Sequence, residues 1–420
     1  MKLIGKYCTA LFFLSLSIAV CTAQPVVLDG YKATVIDQNP DKPAWVNVCD
    51  LDGDGQKEII VSVFAKSSPM GGGYLALYKI ADGAYKKTIL KGSEGIKFPN
   101  DPTFEDVDED GDVDIILPSG FLATTPKKSG CLMWFENLGK AADWKRHDII
   151  SNQKLFYHYA IFHDMNGDGI KDILTVGEFK SLGGSSGSEV HLFAGQGKGQ
   201  FSSDPVNMMS EALGSLPFLY DVDSDGDLDI MSAQYFATDA SAVWLENKGS
   251  EGYTKHIIED RVGPCIQFSM IENFCGDGQK IAVLSNHVNT EDNPSGPKEG
   301  VFMYPVPSDP EELRKPWVGK QISEGIKSRK SPAVAPQGAP GVFRYGDPDK
   351  DGDIDLVVHG DGDPRAFLIE QTAPGVFATK ILVTDVPQGG ISVDDINNDG
   401  CDEIIVSSYE SNRLLLIQKN

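Results

Sequence analysis

The 420-residue chain is 41% hydrophobic and 23% charged, with 61 acidic against 37 basic side chains and a formal charge of −24. Those proportions belong to a folded protein and exclude a disordered or fibrous one. The acidic excess argues against nucleic acid and anionic membranes as partners, since both need a basic face.

The first predicted element is a targeting segment. Lys2 and Lys6 precede a run from Ala10 to Val20 that is apolar apart from Ser15 and Ser17, and Cys21-Thr22-Ala23 ends in a small residue before Gln24. This pattern predicts a signal peptide over residues 1–23, with an apolar run too short to span a membrane. Val20 in front of Cys21 fits a lipid anchor on that cysteine poorly. Residues 24–420 are then one domain, secreted, periplasmic or at the cell surface, and loss of the two lysines takes its charge from −24 to −26. Five cysteines remain, Cys49, Cys131, Cys265, Cys275 and Cys401. They are too sparse for a disulfide framework and read mostly as small buried hydrophobes, with any pairing left open.

Along the rest of the chain an acidic, glycine-containing loop recurs. It reads DLDGDGQKE from Asp50, DVDEDGDVD from Asp106, DMNGDGIKD from Asp164, DVDSDGDLD from Asp221, DPDKDGDID from Asp347 and DINNDGCDE from Asp395. A degenerate seventh copy, NFCGDGQKI, runs from Asn273 to Ile281. Successive starts are 56, 58, 57, 52, 74 and 48 residues apart, so the repeat accounts for the whole chain after the targeting segment. Each loop lies between short β-like runs, such as Ala44 to Val48 before it and Ile59 to Val63 after it. A third run follows, as in Cys131 to Asn137 and Ala242 to Asn247, and a fourth, as in Trp144 to Ile150 and Tyr253 to Ile258. Four short strands per unit predict an all-β fold, a seven-bladed β-propeller. The last unit stops after its third strand, Arg413 to Gln418, while Gly30 to Ile36 resembles a fourth strand. The N-terminal strand is therefore expected to complete the C-terminal blade and so remove an open sheet edge.

Aligned on the glycine, loop positions 1, 3, 5 and 9 carry oxygen donors. They are Asp50, Asp52, Asp54 and Glu58; Asp106, Asp108, Asp110 and Asp114; Asp164, Asn166, Asp168 and Asp172; Asp221, Asp223, Asp225 and Asp229; Asp347, Asp349, Asp351 and Asp355; and Asp395, Asn397, Asp399 and Glu403. Backbone carbonyls at position 7, from Gln56, Asp112, Ile170, Asp227, Asp353 and Cys401, are added as ligands. Oxygen-only donors around a tight turn fit Ca²⁺, whereas zinc would want cysteine or histidine. About six calcium ions are expected as structural cations. In the degenerate loop Cys275 and Ile281 replace acidic ligands, so no tightly held ion is expected there. The ninth-position carboxylate arrives on a strand, which separates these loops from EF-hands, whose last ligand is at position 12.

These loops resemble the calcium-binding FG-GAP/VCBS repeats of bacterial secreted proteins, integrin α-subunit propellers and some fungal lectins, over about Asp29 to Asn420. The resemblance implies calcium at the hairpin between the first and second strands of each blade. Regular Phe-Gly and Gly-Ala-Pro triplets are lacking, so integrin-like ligand recognition is not implied, and the loops are more similar to the bacterial type.

Calcium on one face leaves the other face for a ligand. Its loops supply the candidates Asp101, His158, Tyr235, His287, Arg329, His359 and Arg365, with Lys97, Phe98, Asn100, Tyr157, Lys330 and Glu410 beside them. Such polar and aromatic mixtures suit sugars. Gly183-Gly184-Ser185-Ser186-Gly187 matches GxSxG in letters only, because a nucleophile elbow needs a strand-to-helix turn. No catalytic residue is assigned. Three readings follow: a binding module for an extracellular carbohydrate or other ligand, an adhesive propeller that binds protein, and a polysaccharide-acting lyase or hydrolase with a central pocket. The chain is expected to act as a monomer.

Overall fold

The structure, a computed structural model, describes residues 25–65, 72–120, 129–180, 186–214, 216–236, 239–330 and 337–420. The segment read as a signal peptide and the Gly183-Gly184-Ser185 part of the GxSxG match lie outside the described residues.

Seven antiparallel sheets of four strands follow one another along the chain. Blade 1 comprises Pro43–Cys49, Glu58–Val63, Tyr74–Ala81 and Ala84–Ile89. Blade 2 comprises Thr103–Glu105, Asp114–Ser119, Gly130–Asn137 and Trp144–Gln153. Blade 3 comprises Phe156–His163, Asp172–Lys180, Ser186–Phe193 and Val206–Ser210. Blade 4 comprises Phe218–Tyr220, Asp229–Ala233, Ala242–Asn247 and Tyr253–Glu259. Blade 5 comprises Cys265–Glu272, Lys280–Asn286, Val301–Pro305 and Lys320–Gln321. Blade 6 comprises Phe343–Gly346, Asp355–His359, Arg365–Ala373 and Val376–Thr384. Blade 7 comprises Ile391–Asp394, Glu403–Ser408 and Arg413–Lys419, and its outer strand is Tyr31–Asp37, paired from Tyr31 opposite Lys419 to Asp37 opposite Leu414.

The second strand lies inside its sheet with a neighbouring blade on both faces, and so is deeply buried. Every residue of Glu58–Val63, Asp114–Ser119, Asp355–His359 and Glu403–Ser408 is buried. Alternate side chains of one strand serve opposite faces. Ile59, Val61 and Val63 therefore pack towards blade 7, while Ile60 packs towards blade 2. The same division recurs around the molecule, so that seven apolar clusters fill the seven contacts between successive blades and the ring closes. Trp134 and Trp244, at equivalent third-strand positions, are both buried in these clusters.

Two insertions depart from the plain repeat. A small hairpin, Gly195–Gly197 with Gln200–Phe201, precedes the last strand of blade 3. In blade 5 a short helix, Pro310–Leu313, is capped by Asp309, whose side chain accepts from the Glu311 and Glu312 amides. That helix lies within the 74-residue spacing. Cys265 and Cys275 are buried and Cys49, Cys131 and Cys401 half-buried, all five without a disulfide. No helix among the described residues is long and apolar enough to cross a membrane.

Candidate metal loops and the opposite face

The acidic loops all take one conformation. Position 6 is glycine with φ from 76° to 98°, a region closed to most side chains, as at Gly55, Gly111, Gly278 and Gly400. Position 4 is also left-handed, even where it is Glu109, Ser224, Lys350 or Asn398. The first carboxylate curls over the turn, and Asp50, Asp106, Asp164, Asp347 and Asp395 accept from the amides of positions 5 and 6 at 2.8–3.2 Å. The fifth accepts from the amide of position 7, as Asp54 does from Gln56 at 2.8 Å.

The ninth residue opens the second strand and is almost wholly buried, with exposures of 0–3% from Glu58 to Glu403. The amide of position 2 donates to it in five loops, at 2.9 Å from Leu51 to Glu58 and from Val107 to Asp114. Its second oxygen accepts from a backbone amide on the third strand in blades 2, 4 and 6, from Asn137, Asn247 and Gln371, and just beyond that strand in blade 3, from Gly195, each at 2.8 Å. Burial pushes Asp114, Asp229 and Asp355 up to about 7 against these hydrogen bonds, and the loop's other carboxylates push the same way.

Several of these acidic clusters could hold a metal ion. In Asp50, Asp52 and Glu58; Asp106, Asp108 and Asp114; Asp221, Asp223 and Asp225; and Asp347, Asp349 and Asp351, one oxygen of each residue lies within 4.8 Å of the others. Loops 3 and 7 carry Asn166 and Asn397 at the third position. The donor set fits a hard cation on a further count. Buried oxygens of Asp108, Asp221, Asp223 and Asp355 have no hydrogen-bond partner among the described residues, and an ion would supply what the protein does not. In the degenerate loop Asn273 still accepts from Gly278, and Asp277 from Gln279, both at 3.0 Å. Cys275 and Ile281 are buried there and line a cleft of about 600 Å³ with Met303, Val318 and Val376.

Sequence reasoning missed the third-strand residue opposite position 9. The strand registers place Lys79, Glu136, Glu246, Glu370 and Gln418 there. The Glu136 charge reaches Asp108, and the Glu370 charge reaches Asp349 and Asp355. Only strand pairing reveals this proximity, since these residues lie 15 to 22 positions beyond the loop's ninth residue.

On the opposite face the structure brings some of the candidates together. His287 Nδ1 lies 2.8 Å from the Pro340 carbonyl oxygen, to which it donates, and Nε2 lies 3.4 Å from Asp361 Oδ2. The Tyr235 ring meets the His287 ring edge-on at 5.4 Å. A run of aromatic contacts continues through Phe236 at 4.8 Å and Phe156 at 6.1 Å to His158 at 5.1 Å. His158 Nδ1 and Glu178 Oε2 are 3.7 Å apart, and neither has a hydrogen-bond partner among the described residues. Burial pushes the Tyr235 hydroxyl up to about 12, helped by the charges of Asp361 and Glu178.

Other candidates are occupied elsewhere. Asp101 is buried between Asn47, at 2.8 Å, and Arg344, at 3.2 Å, which reaches it from blade 6. Arg365 is forked onto Asp363 and donates to Gly325 O at 3.0 Å. Arg329 pairs with Glu410 at 2.5 Å. His359 is wholly buried, and its Nδ1 accepts the Asp361 amide at 2.9 Å. Tyr157 is also buried. Asp361, Glu178, Phe156 and Phe236 were not foreseen, because nothing local distinguishes them from other loop and strand residues.

Fold and loops together define a seven-bladed β-propeller with acidic turn loops. The description "FG-GAP-like repeat" matches residues 164–232 and 347–416, and the chain carries FG-GAP-like repeats. No curated protein matches the sequence. Solved structures similar to it include BBS1N in complex with ARL6DN, at 10% identity and a TM-score of 0.49, covering 93% of this chain and 97% of that one. A Trichoderma reesei carbohydrate-active enzyme of family AA12 is similar at 9% identity and a TM-score of 0.41, covering 94% and 98%. A Penicillium chrysogenum alpha-L-arabinanase complexed with arabinobiose is similar at 12% identity and a TM-score of 0.40, again covering 94% and 98%. Likeness at this level says nothing of what this chain binds.

Proposed function

We propose that this chain is a secreted propeller whose six acidic loops hold calcium as scaffold and whose opposite face binds an extracellular carbohydrate. The ligands are the loop side chains named above with the position-7 carbonyls, and bound calcium would neutralise crowded carboxylates and fix the turns between first and second strands. One observation carries the ligand assignment: His158 Nδ1 and Glu178 Oε2 are buried, 3.7 Å apart and without a hydrogen-bond partner among the described residues, beside a run of aromatic rings. A sugar hydroxyl both donates and accepts, so one hydroxyl can satisfy both atoms. The neighbouring ring faces offer apolar contact to the C–H faces of a sugar.

The test is retention of residues 24–420 on a panel of glycans and polysaccharides in calcium, with supernatants checked for cleaved products. Calcium-dependent retention that His158→Ala abolishes at unchanged melting temperature supports the reading. Absence of retention and of products would reassign this face to a protein partner. A second reading, a polysaccharide-acting enzyme, is favoured by the arrangement of Asp361 behind His287 and next to Tyr235, since a carboxylate that orients a histidine is a common acid–base device. Released fragments that His287→Ala abolishes would establish it.

A further inference from the structure

We infer that the first loop carries its own counter-ion: Lys79 occupies the cage and makes it the weakest calcium site of the six. The inference rests on the calcium reading above.

The observation is a contact set found, among the described residues, in no other loop. Lys79 lies on the third strand of blade 1, one residue beyond the Tyr78–Ile59 pair and so opposite Glu58. Its Nζ pairs with Asp52 Oδ2, with Asp54 Oδ2 at 2.8 Å and with Glu58 Oε1 at 3.4 Å. One ammonium thus touches the carboxylates of positions 3, 5 and 9, three of the four side chains that would surround an ion. Among the described residues, one other cation forms an ion pair with a ligand carboxylate: Arg314, which lies 3.0 Å from Asp223 and also pairs with Glu246, and which pairs with no other carboxylate of loop 4. Where the cross-strand residue is Glu136 or Glu370, the bases nearby pair with that glutamate and with no loop ligand.

Two cations cannot share the same three carboxylates. Calcium entering loop 1 has to displace Lys79, and the lost attraction weakens apparent binding. With its side chain 41% exposed on a flexible stem, Lys79 can swing into solvent, so the site is weakened and not abolished. In the absence of calcium the same ammonium holds the carboxylates of loop 1 together. That loop sits beside loop 7 at the seam of the ring, where Lys57 pairs with Asp394 at 2.5 Å and Asn398 donates to Gly55 O at 2.7 Å. The seam is therefore the part of the loop face that depends least on calcium.

The test titrates calcium into the full chain from residue 24, stripped with EDTA and dialysed, by isothermal calorimetry on wild type, Lys79→Met and Lys79→Gln. One site is expected to tighten by about tenfold or more in both variants, while their melting temperatures in EDTA fall below that of wild type. Should a variant not survive stripping, chelator competition from the calcium-loaded state measures the same constants. Isotherms that superimpose on wild type would overturn the inference while leaving the calcium reading intact. A wild type that takes up no calcium would overturn the calcium reading and this inference with it.

Discussion

Pro348 stands directly after Asp347 in the sixth loop, at the position whose backbone amide in five other loops donates to the ninth residue, and Asp355 Oδ2 is left buried with no donor among the described residues. Proline has no N–H to give. The fold tolerates the loss at a residue with 0% exposure, where an unsatisfied carboxylate oxygen is costly. A cation bound in this loop would resolve that conflict.

This difference predicts an ordering of two equivalent substitutions. In EDTA, Asp114→Asn turns an amide nitrogen towards either the Val107 or the Asn137 N–H, two donors that the carboxylate now accepts at 2.9 and 2.8 Å. The expected cost is about 1–3 kcal/mol. Asp355→Asn can keep its oxygen on the Gln371 amide and turn its nitrogen to the side that has no donor, so it should cost less. Chemical denaturation of both variants in EDTA checks the order. Equal losses would show that the position-2 amide contributes nothing.

Removing calcium should lower the melting temperature of wild type, because each ion held at ten times its dissociation constant contributes about 1.4 kcal/mol. The effect should grow with pH. Asp114, Asp229 and Asp355 are pushed up to about 7 by burial, against an ordinary value of 3.8. A folded-state value above the unfolded one means that their contribution is fully present below about pH 4 and is lost as pH rises through 7. The stripped protein should therefore melt lower at pH 8 than at pH 5.5, and the shift on adding calcium should be larger at pH 8. Scanning fluorimetry at both pH values decides, and a melt indifferent to EDTA would rule out the cages.

His359 should give the opposite slope in calcium-saturated protein. It is wholly buried, accepts the Asp361 amide on Nδ1, and burial holds its pKa below the ordinary 6.5. A folded value below the unfolded one contributes stability above pH 6.5 that is lost as pH falls from there towards the folded value. His359→Gln, with no such titration, should flatten the decline in melting temperature below pH 6.5. An identical decline in the variant would assign it to other groups.

How much of this was legible in the sequence depended on distance along the chain. The loop ligands fall within nine residues of one another, and their spacing carried the seven-blade count and the acidic clusters. Lys79 and Glu136 were illegible because strand register, not local spacing, puts them opposite Glu58 and Asp114. The contacts of His158, Tyr235 and His287 with their neighbours depend on blades 3 to 6 converging, which one repeat cannot reveal. The helix at Pro310 was overlooked although Asp309-Pro310-Glu311-Glu312 carries an N-cap, a proline at the first turn and two acidic residues.

The outer strand of blade 7 offers the last test. Tyr31–Asp37 pairs with Arg413–Lys419 along its length and lays Tyr31, Ala33 and Val35 on the apolar cluster between blades 6 and 7. Removing it would uncover the ladder groups of a strand whose centre reads Leu414, Leu415, Leu416 and Ile417. Such an open, apolar edge is a template for pairing with another chain. A protein that begins at residue 38 should therefore elute as higher oligomers or precipitate, whereas one that begins at residue 25 should run as a monomer in size-exclusion chromatography with light scattering. A peptide of residues 25–37 added during refolding should restore the monomer by occupying the vacant edge. A monomeric, fully folded chain from residue 38 would show that three strands suffice to close the ring.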